Sequence, residues 1–269
     1  MAADSGEGTR RRVTALDSAP SASAASALGV TCFAGDLATA VSVVVARAHS
    51  GRGGYACLGN AHVLVSAHHD AELRRALDDA WKVFPDGAPV AWLQRRLGLR
   101  SAERVGGPDL MPRVCEKGVA LNLRHFLLGS TSQVLDQLQA NLERHHPGIA
   151  IVGSYSPSRS EIEGDVQGLV SRVGSSDPHI VWCAFGAPRQ EIWMARAAPQ
   201  LSSSLLVGVG AAFDFIAGTK PRAHPWLQRA GFEWAHRLST EPKRLIGRYL
   251  RTNCEFVLRA AAQLLRRGR

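Results

Sequence analysis

Apolar and polar positions occur in blocks along the chain, and the blocks predict short buried strands separated by helices. The clearest block begins with the apolar strand Leu123–Gly129, after which Ser130 or Thr131 can cap a helix running to about Arg144. A second apolar strand, Ile149–Gly153, follows. A strand–helix–strand unit of this kind implies parallel strands.

The same order recurs towards the C-terminus, with the strand Ile180–Gly186, a helix from about Gln190, and the strand Leu205–Gly210. Earlier segments fit the pattern as well, with strands predicted at Tyr55–Leu58 and Lys82–Phe84 and helical spacing over Asp36–His49, Ala61–Trp81, Pro89–Leu97 and Pro108–Val119. The sequence therefore predicts an α/β fold, with a doubly wound, mostly parallel sheet and helices on both faces.

The two ends of the chain differ from this pattern. Residues 1–27 predict a disordered N-terminal tail, residues 28–218 the α/β core, and residues 219–269 a C-terminal helical appendage. From Pro242 the appendage has helical periodicity. Its predicted apolar face comprises Ile246, Tyr249, Leu250, Phe256, Val257, Ala260, Ala261 and Leu264, interrupted by Asn253, and its basic face comprises Arg244, Arg248, Arg251, Arg259 and Arg266. A basic amphipathic helix can pack on its own domain, lie on an anionic membrane, or bind nucleic acid.

Composition narrows the class of protein. The chain has 269 residues, of which 45% are hydrophobic, enough for one large α/β domain. Its net charge of +9 favours anionic partners such as nucleic acid, acidic lipid or phosphorylated substrates. No apolar run approaches the roughly 20 residues of a transmembrane helix, and no apolar signal segment follows Arg10–Arg12. We therefore expect a cytoplasmic protein.

Cysteine and histidine spacing predicts no bound metal. The five cysteines lie far apart without a Cys-x-x-Cys pair, which indicates reduced, mostly buried thiols and neither a disulfide framework nor a zinc site. The pairs His68–His69 and His145–His146 lie in polar helical surroundings without a third ligand at metal spacing. We predict no cofactor.

Common nucleotide-binding motifs fit poorly. VGVGAA, residues Val207–Ala212, has only two glycines of the dinucleotide fingerprint, with Phe213 in the third position. Glu233 has the right spacing for the acidic residue of that fingerprint but lies in a segment that reads as helix. A phosphate-binding P-loop is missing, so dehydrogenases and P-loop NTPases are disfavoured.

The stretch FPDGAPVAW, residues Phe84–Trp92, sets Asp86 between a proline and a glycine directly after a predicted strand. Proline fixes φ and glycine accepts a positive φ, so the three residues predict a turn. Ligands of doubly wound sheets bind at the carboxyl ends of strands. Asp86 is therefore either a turn residue alone or a carboxylate presented to a ligand.

Six blocks of the sequence resemble one known family. They are PDGAPVAW (Pro85–Trp92), ERVGGPDLMPRVCE (Glu103–Glu116), FLLGS (Phe126–Ser130), FGAPRQEIW (Phe185–Trp193), GVGAAFDFIAG (Gly208–Gly218) and RAHPWLQRAGFEWAHRL (Arg222–Leu238). Together, from about Gly29 to Leu250, they resemble the WecG/TagA/CpsF bacterial glycosyltransferases, the N-acetylmannosaminyltransferase group.

The resemblance implies a reaction and its partners. A sugar, N-acetylmannosamine or a related hexose, would move with inversion from a UDP-sugar to a sugar linked to polyprenyl diphosphate, in surface polysaccharide synthesis. The enzyme would be peripheral on the inner face of the cell membrane and would require no metal. The resemblance does not imply nucleic-acid binding.

The resemblance also implies roles for particular residues. The catalytic base falls on Asp86 and an arginine for the UDP diphosphate on Arg104. The other matching residues are Asn60 and Gln190 as sugar ligands, Gly129 and Ser130 near the nucleotide, and Arg222, Arg237, Arg244 and Arg248 as arginines that the appendage brings towards the active site. The family threonine two residues before the asparagine is Leu58 here, and a further basic position is Gly247.

Two rival functions stay open on the sequence alone. A non-catalytic nucleotide-sugar-binding protein would use the same residues without transfer, and a basic nucleic-acid-binding protein would use the net charge of +9. Sequence also leaves open whether the C-terminal helix acts within one chain or across a homo-oligomer.

Overall fold

The computed structural model describes residues 23–224, 227, 234, 238 and 242–267. A six-stranded sheet forms its centre, in the order β4-β3-β8-β7-β5-β6. Its strands are β3 (Gly54–Gly59), β4 (Lys82–Pro85), β5 (Arg124–Gly129), β6 (Ala150–Tyr155), β7 (Ile180–Ala184) and β8 (Leu205–Gly208). Every neighbouring pair is parallel. The predicted doubly wound parallel sheet is confirmed.

Helices cover both faces of the sheet. Those on one face are α2 (Ala61–Ser66), α3 (Ala71–Asp78), α4 (Ala88–Arg96), α8 (Val166–Gly174), α9 (Arg189–Ala197) and α11 (Pro242–Arg267). Those on the other face are α1 (Leu37–His49), α5 (Gly107–Val119), α6 (Ser132–His145) and α10 (Ala212–Ile216). The short helix α7 (Arg159–Gly164) precedes α8.

The strands feed two separate cores because successive side chains point to opposite faces. In β3, Tyr55 and Cys57 join the core beneath α2 and α3, whereas Ala56 and Leu58 join the core beneath α1 and α5. A strand that is buried on both faces has apolar residues at nearly every position. This explains why these strands appear in the sequence as continuous apolar runs and not as an alternation of apolar and polar residues.

Two regions differ from the sequence prediction. Strand β1 (Ser23–Ala27), inside the segment predicted to be a disordered tail, pairs antiparallel with β2 (Val30–Ala34). The single helix predicted over 61–81 is two helices, because the chain turns after α2 and Asp70 caps α3. Residues 1–22 of the predicted tail lie outside the described residues.

The C-terminal helix α11 docks on the core through part of its circumference. Phe256 and Ala260 are buried in the core that also contains α2 and α3. Glu255 accepts a hydrogen bond from His69 at 2.8 Å, and Gln263 bonds to the backbone of the β1–β2 hairpin. Among the helices that the structure describes, none has both the length and the apolar character to cross a bilayer.

Candidate active site

A cavity of about 630 Å³ lies where the strands β3, β4, β7 and β8 end, and we call it the strand-end cavity. Drug-sized and cofactor-sized ligands occupy cavities of roughly 300–1,000 Å³. Strands β3 and β8 are neighbours, and the helices that follow them, α2 and α10, pack on opposite faces of the sheet. The cavity therefore lies at a switch point of the sheet, where ligands of this fold class bind.

Asp86 lies on the wall of this cavity, in the turn between β4 and α4. Its backbone N–H donates to the carbonyl of Gly59 at 3.0 Å, which joins the turn to the end of β3. Gly87 has φ of 94°, a conformation that favours glycine, and Pro89 lies in the first turn of α4. The turn predicted by the sequence thus places Asp86 at the cavity, with its side chain 29% exposed.

Arg104 approaches the same carboxylate from the segment before α5. Its Nε lies 4.0 Å from Asp86 Oδ1, and its Nη2 donates to Asp109 Oδ2 at 3.1 Å. Arg222, at the start of the predicted appendage, donates to the same Asp109 oxygen at 2.7 Å. Arg104 lines the cavity. The structure therefore brings the predicted base and the predicted diphosphate ligand together.

Asn60 caps α2 directly after β3. Its side-chain oxygen accepts from the backbone N–H of Val63 at 3.1 Å, so the amide NH₂ group is what a ligand would meet. Asn60 lines the cavity, as the sequence predicted for a ligand-binding residue.

Gln190 is buried at the cavity wall and bonds within the protein. Its Oε1 accepts from the backbone N–H groups of Gly186 and Gly210, each at 3.2 Å, and its Nε2 donates to Glu191 at 2.8 Å. The side chain thereby joins the loops that follow β7 and β8. Gln190 lies in the wall of the cavity, and its role as a sugar ligand stays a prediction.

Glu191 is completely buried beside Gln190 and lines the same cavity. Burial raises the pKa of its carboxyl from 4.5 to about 7. Its Oε2 has no hydrogen-bond partner in the described structure. A carboxyl in these surroundings exchanges its proton near neutral pH.

Gly129 is the last residue of β5 and Ser130 follows it, and the two lie differently with respect to the cavity. Ser130 lines the cavity with φ of 61°. A Cβ at Gly129 would lie 2.8 Å from the Ala184 backbone, so glycine allows β5 and β7 to end close together. Gly129 does not line the cavity, and its contribution in the structure is this close approach.

The C-terminal part of the chain reaches the cavity as well. Trp234 and Asn253 both belong to its lining, and Asn253 lies on α11. The asparagine that interrupts the predicted apolar face thus lies at the cavity. Asp214 and Lys220, whose Oδ2 and Nζ are 3.7 Å apart, line it from the region of α10.

The structure describes only some of the arginines that were predicted for the appendage. Arg222 is described and pairs with Asp109, outside the cavity lining. Arg237 lies outside the described residues, and so do the side chains of Arg244 and Arg248, whose backbone belongs to α11.

Several cavity residues were missed at the sequence level. They are Glu191, Asp214, Lys220 and Trp234 in the cavity lining, and Asp109 just outside it. Asp109 and Glu191 each lie in the first turn of a helix, where an acidic residue usually interacts with backbone N–H groups at the surface. The one available signal was their place inside the matched blocks ERVGGPDLMPRVCE and FGAPRQEIW.

The fold and the cavity define a doubly wound α/β protein with a polar ligand cleft at the switch point of its sheet. The model of the Glycosyl transferase WecG/TagA/CpsF family matches residues 25–269, and the chain belongs to this family. The predicted resemblance is therefore confirmed, and with it the class of glycosyltransferase.

A curated relative from Bacillus spizizenii is 27% identical over 193 residues, a match that covers 72% of this chain and 74% of that protein. The relative is named N-acetylglucosaminyldiphosphoundecaprenol N-acetyl-beta-D-mannosaminyltransferase.

Proposed function

We propose that the protein transfers N-acetylmannosamine, or a related hexose, from a UDP-sugar to an N-acetylglucosamine linked to polyprenyl diphosphate, with inversion at the transferred carbon. The observation that carries the proposal is the placing of Asp86 and Arg104 in one cavity, with Arg104 Nε 4.0 Å from Asp86 Oδ1. The name of the Bacillus spizizenii relative supports this choice of sugar and acceptor.

Asp86 acts as the base in this scheme. An unperturbed aspartate titrates near ~3.9 and is ionised at neutral pH. Its carboxylate takes the proton from the attacking acceptor hydroxyl as the new C–O bond forms and the bond to the UDP oxygen breaks. Because attack and departure occur on opposite sides of the carbon, one displacement inverts the configuration.

Arg104 acts on the leaving group. Negative charge grows on the UDP diphosphate as the glycosidic bond breaks, and a fixed guanidinium stabilises that charge most where it is largest. The N-termini of α4, α5 and α9 lie at the same end of the sheet and add partial positive charge. The protein thus supplies positive groups for the diphosphate from its own chain.

Asn60, Gln190 and Ser130 complete the proposed donor site. The Asn60 amide can donate to a sugar or phosphate oxygen, and Ser130 offers a hydroxyl at the end of β5. Gln190 keeps the loops after β7 and β8 in place, so that the cavity is formed before the donor binds.

Release of UDP tests the proposal. A panel of UDP-sugars is offered with a short-chain lipid-diphosphate N-acetylglucosamine acceptor, and UDP is measured with and without acceptor. We expect UDP-N-acetylmannosamine to give acceptor-dependent release. UDP binding without any acceptor-dependent release from any donor would favour the non-catalytic nucleotide-sugar-binding alternative.

We also propose that α11 docks on the anionic inner face of the cell membrane. Val257, Leu258 and Leu265 are 64%, 71% and 74% exposed. Leu258 and Leu265 lie on the side of α11 opposite to buried Phe256, and Val257 lies at about 100° from Phe256 around the helix. The neighbouring exposed Arg266 adds positive charge. Apolar side chains flanked by arginines are typical of helices that lie in a lipid interface.

Point substitutions test this docking better than truncation, because removing α11 would also remove Phe256 from the core and Asn253 from the cavity. A variant with Val257→Ser, Leu258→Ser and Leu265→Ser should lose sedimentation with phosphatidylglycerol vesicles. A matched Ala261→Ser/Ala262→Ser variant of the same helix should retain it. Equal binding by wild type and the triple variant would contradict the proposal, and stronger binding to duplex DNA than to vesicles would favour the nucleic-acid alternative.

A further inference from the structure

Asp109 joins two arginines that come from distant parts of the chain. It lies in the first turn of α5, and its Oδ2 accepts from Arg104 at 3.1 Å and from Arg222 at 2.7 Å. Arg104 precedes α5, whereas Arg222 follows the predicted core by a few residues. One carboxylate oxygen therefore fixes both guanidinium groups at the side of the cavity.

Asp109 acts from behind the cavity wall. Asp86 and Arg104 line the strand-end cavity, but in the described part of the chain Asp109 and Arg222 do not. The side chains are about one-fifth to one-third exposed, with 19% for Arg104, 24% for Arg222 and 31% for Asp109. Charges at such partly buried sites are screened less than surface charges, so the set influences Asp86.

The space around this set is narrow. A Cβ at Gly106 would lie 2.8 Å from Arg104 Nη2 and 3.3 Å from Asp86 Oδ1. The Arg104 guanidinium thus passes over a glycine on its way to both carboxylates, and its position depends on the groups that hold it there.

We propose that Asp109 is a positioning residue, which holds the Arg104 and Arg222 guanidinium groups in a fixed pair beside Asp86 and keeps Arg104 from forming a closer ion pair with the proposed base. The inference rests on the proposed function, because the reaction is the same. It adds that the first segment of the appendage takes part in the site through Arg222 and Asp109.

Loss of the Asp109 charge has a definite electrostatic consequence. Two guanidinium groups would then face one carboxylate fewer, and an excess of nearby positive charge lowers the pKa of a carboxyl group. Asp86 would become a weaker base, and Arg104 would move towards it. Within the described residues, the other charged or titratable side chains that line the cavity are His62, Arg189, Glu191, Asp214 and Lys220. These side chains are the same in every variant of Asp109. A difference in the pH profile between the variants is therefore caused by the substitution at position 109.

The test compares Asp109→Asn with Asp109→Glu in the full-length chain, using acceptor-dependent UDP release. Asp109→Asn should lower kcat by about 10- to 100-fold, the usual effect of misplacing a catalytic group by about 1 Å. The KM for the donor should stay within about threefold, and the acid limb of the kcat/KM profile should move to lower pH. Asp109→Glu should recover most of kcat. The matched control, Asp78→Asn, breaks the surface pair with Arg74 and should match wild type.

Arg222→Gln completes a double-mutant cycle. Combined with Asp109→Asn, it should lower kcat less than it does alone, because the contact through which Arg222 acts is already lost. Unchanged kcat and an unchanged pH profile in Asp109→Asn would overturn the proposal, as would independent, additive effects of the two substitutions. If Asp109→Asn does not fold, Arg222→Gln decides, and wild-type kcat in that variant overturns the proposal.

The proposal about Asp109 and the proposed function fail in different ways. If the wild-type protein releases no UDP in response to any acceptor, the proposed function fails. If wild type turns over and the Asp109 variants match it, the proposed function stands and the positioning role fails.

Discussion

At the scale of single residues, the cavity is organised by contacts between charged groups and by the glycines that leave room for them. Asp86, Arg104, Asp109 and Arg222 form one connected set. Glu191 and Gln190, also in the cavity lining, form a second set that has a buried carboxyl group. The first set suits proton abstraction and diphosphate binding, and the second fixes the shape of the cavity.

Substitution at Gly106 tests the importance of the Arg104 position. The added methyl of Gly106→Ala would displace the end of a flexible arginine side chain and would not collide with backbone. We therefore expect a melting temperature close to that of wild type and a kcat lowered about 10- to 100-fold. Gly164→Ala, where a Cβ meets open space, is the matched control. Full activity of Gly106→Ala would show that the position of Arg104 does not matter.

Glu191 should make stability depend on pH. Its pKa is raised from 4.5 to about 7 by burial, so the folded state binds more protons than the unfolded state between these values. The contribution of this group to the free energy of unfolding is therefore fully present below pH 4.5, decreases as the pH rises, and is lost above about pH 7. Two and a half pKa units correspond to roughly 3 kcal/mol at most.

Glu191→Gln keeps an acceptor for Gln190 but cannot ionise. The difference in free energy of unfolding between the variant and wild type should grow by roughly 2–3 kcal/mol, in favour of the variant, from pH 5 to pH 8. Urea unfolding at both pH values measures the difference, with Glu163→Gln, on the exposed helix α7, as the control for net charge. A difference that does not change with pH would contradict the buried, neutral form of Glu191.

At the scale of elements, α11 serves three surfaces at once. Phe256 and Ala260 pack into the core, Asn253 reaches the cavity, and Val257, Leu258 and Leu265 face outwards. Periodicity predicted the helix and its amphipathic character. It placed Val257 and Ala261 on the same face as Phe256, whereas both are exposed, because apolar residues cover more of the circumference than the core can bury.

Replacement by alanine should destabilise the protein much more at a buried apolar residue of α11 than at an exposed one. Phe256→Ala should destabilise the protein by about 3–5 kcal/mol, the usual cost for a buried phenylalanine. Leu258→Ala should change stability by about 0.5 kcal/mol or less, because the side chain is 71% exposed. Chemical unfolding of the two variants measures both values. Equal, small effects would mean that α11 does not pack as described.

At the scale of the whole molecule, the sheet order brings distant motifs to one cavity. Strands β3, β4, β7 and β8 end at the same edge, so Asn60, Asp86, Gln190 and Gly210 meet although they span 151 residues of sequence. Parallel strands with crossover helices make this convergence a consequence of topology.

Sequence predicted this topology because the buried strands are continuous apolar runs bounded by glycine, proline or capping residues. It missed β1, whose sequence SAASA lacks β-branched and aromatic side chains and which is a strand only through its pairing with β2. It also missed the break between α2 and α3, which contains neither glycine nor proline.

Within the cavity, the turn at Asp86 was predictable because its Pro-Asp-Gly chemistry is local. The burial of Glu191 and the pairing of Asp109 with Arg222 were not, because both depend on contacts between segments far apart in the chain. The roles assigned to Asp86, Arg104, Asn60 and Ser130 remain predictions that activity measurements must decide.

The most direct measurement is acceptor-dependent UDP release by Asp86→Asn, together with the affinity of the same variant for UDP. We predict that kcat falls by about 10²- to 10⁴-fold, the usual contribution of a general base, while UDP affinity stays close to wild type. Wild-type turnover in the Asp86→Asn variant, with UDP affinity unchanged, would contradict the assignment of Asp86 as the base.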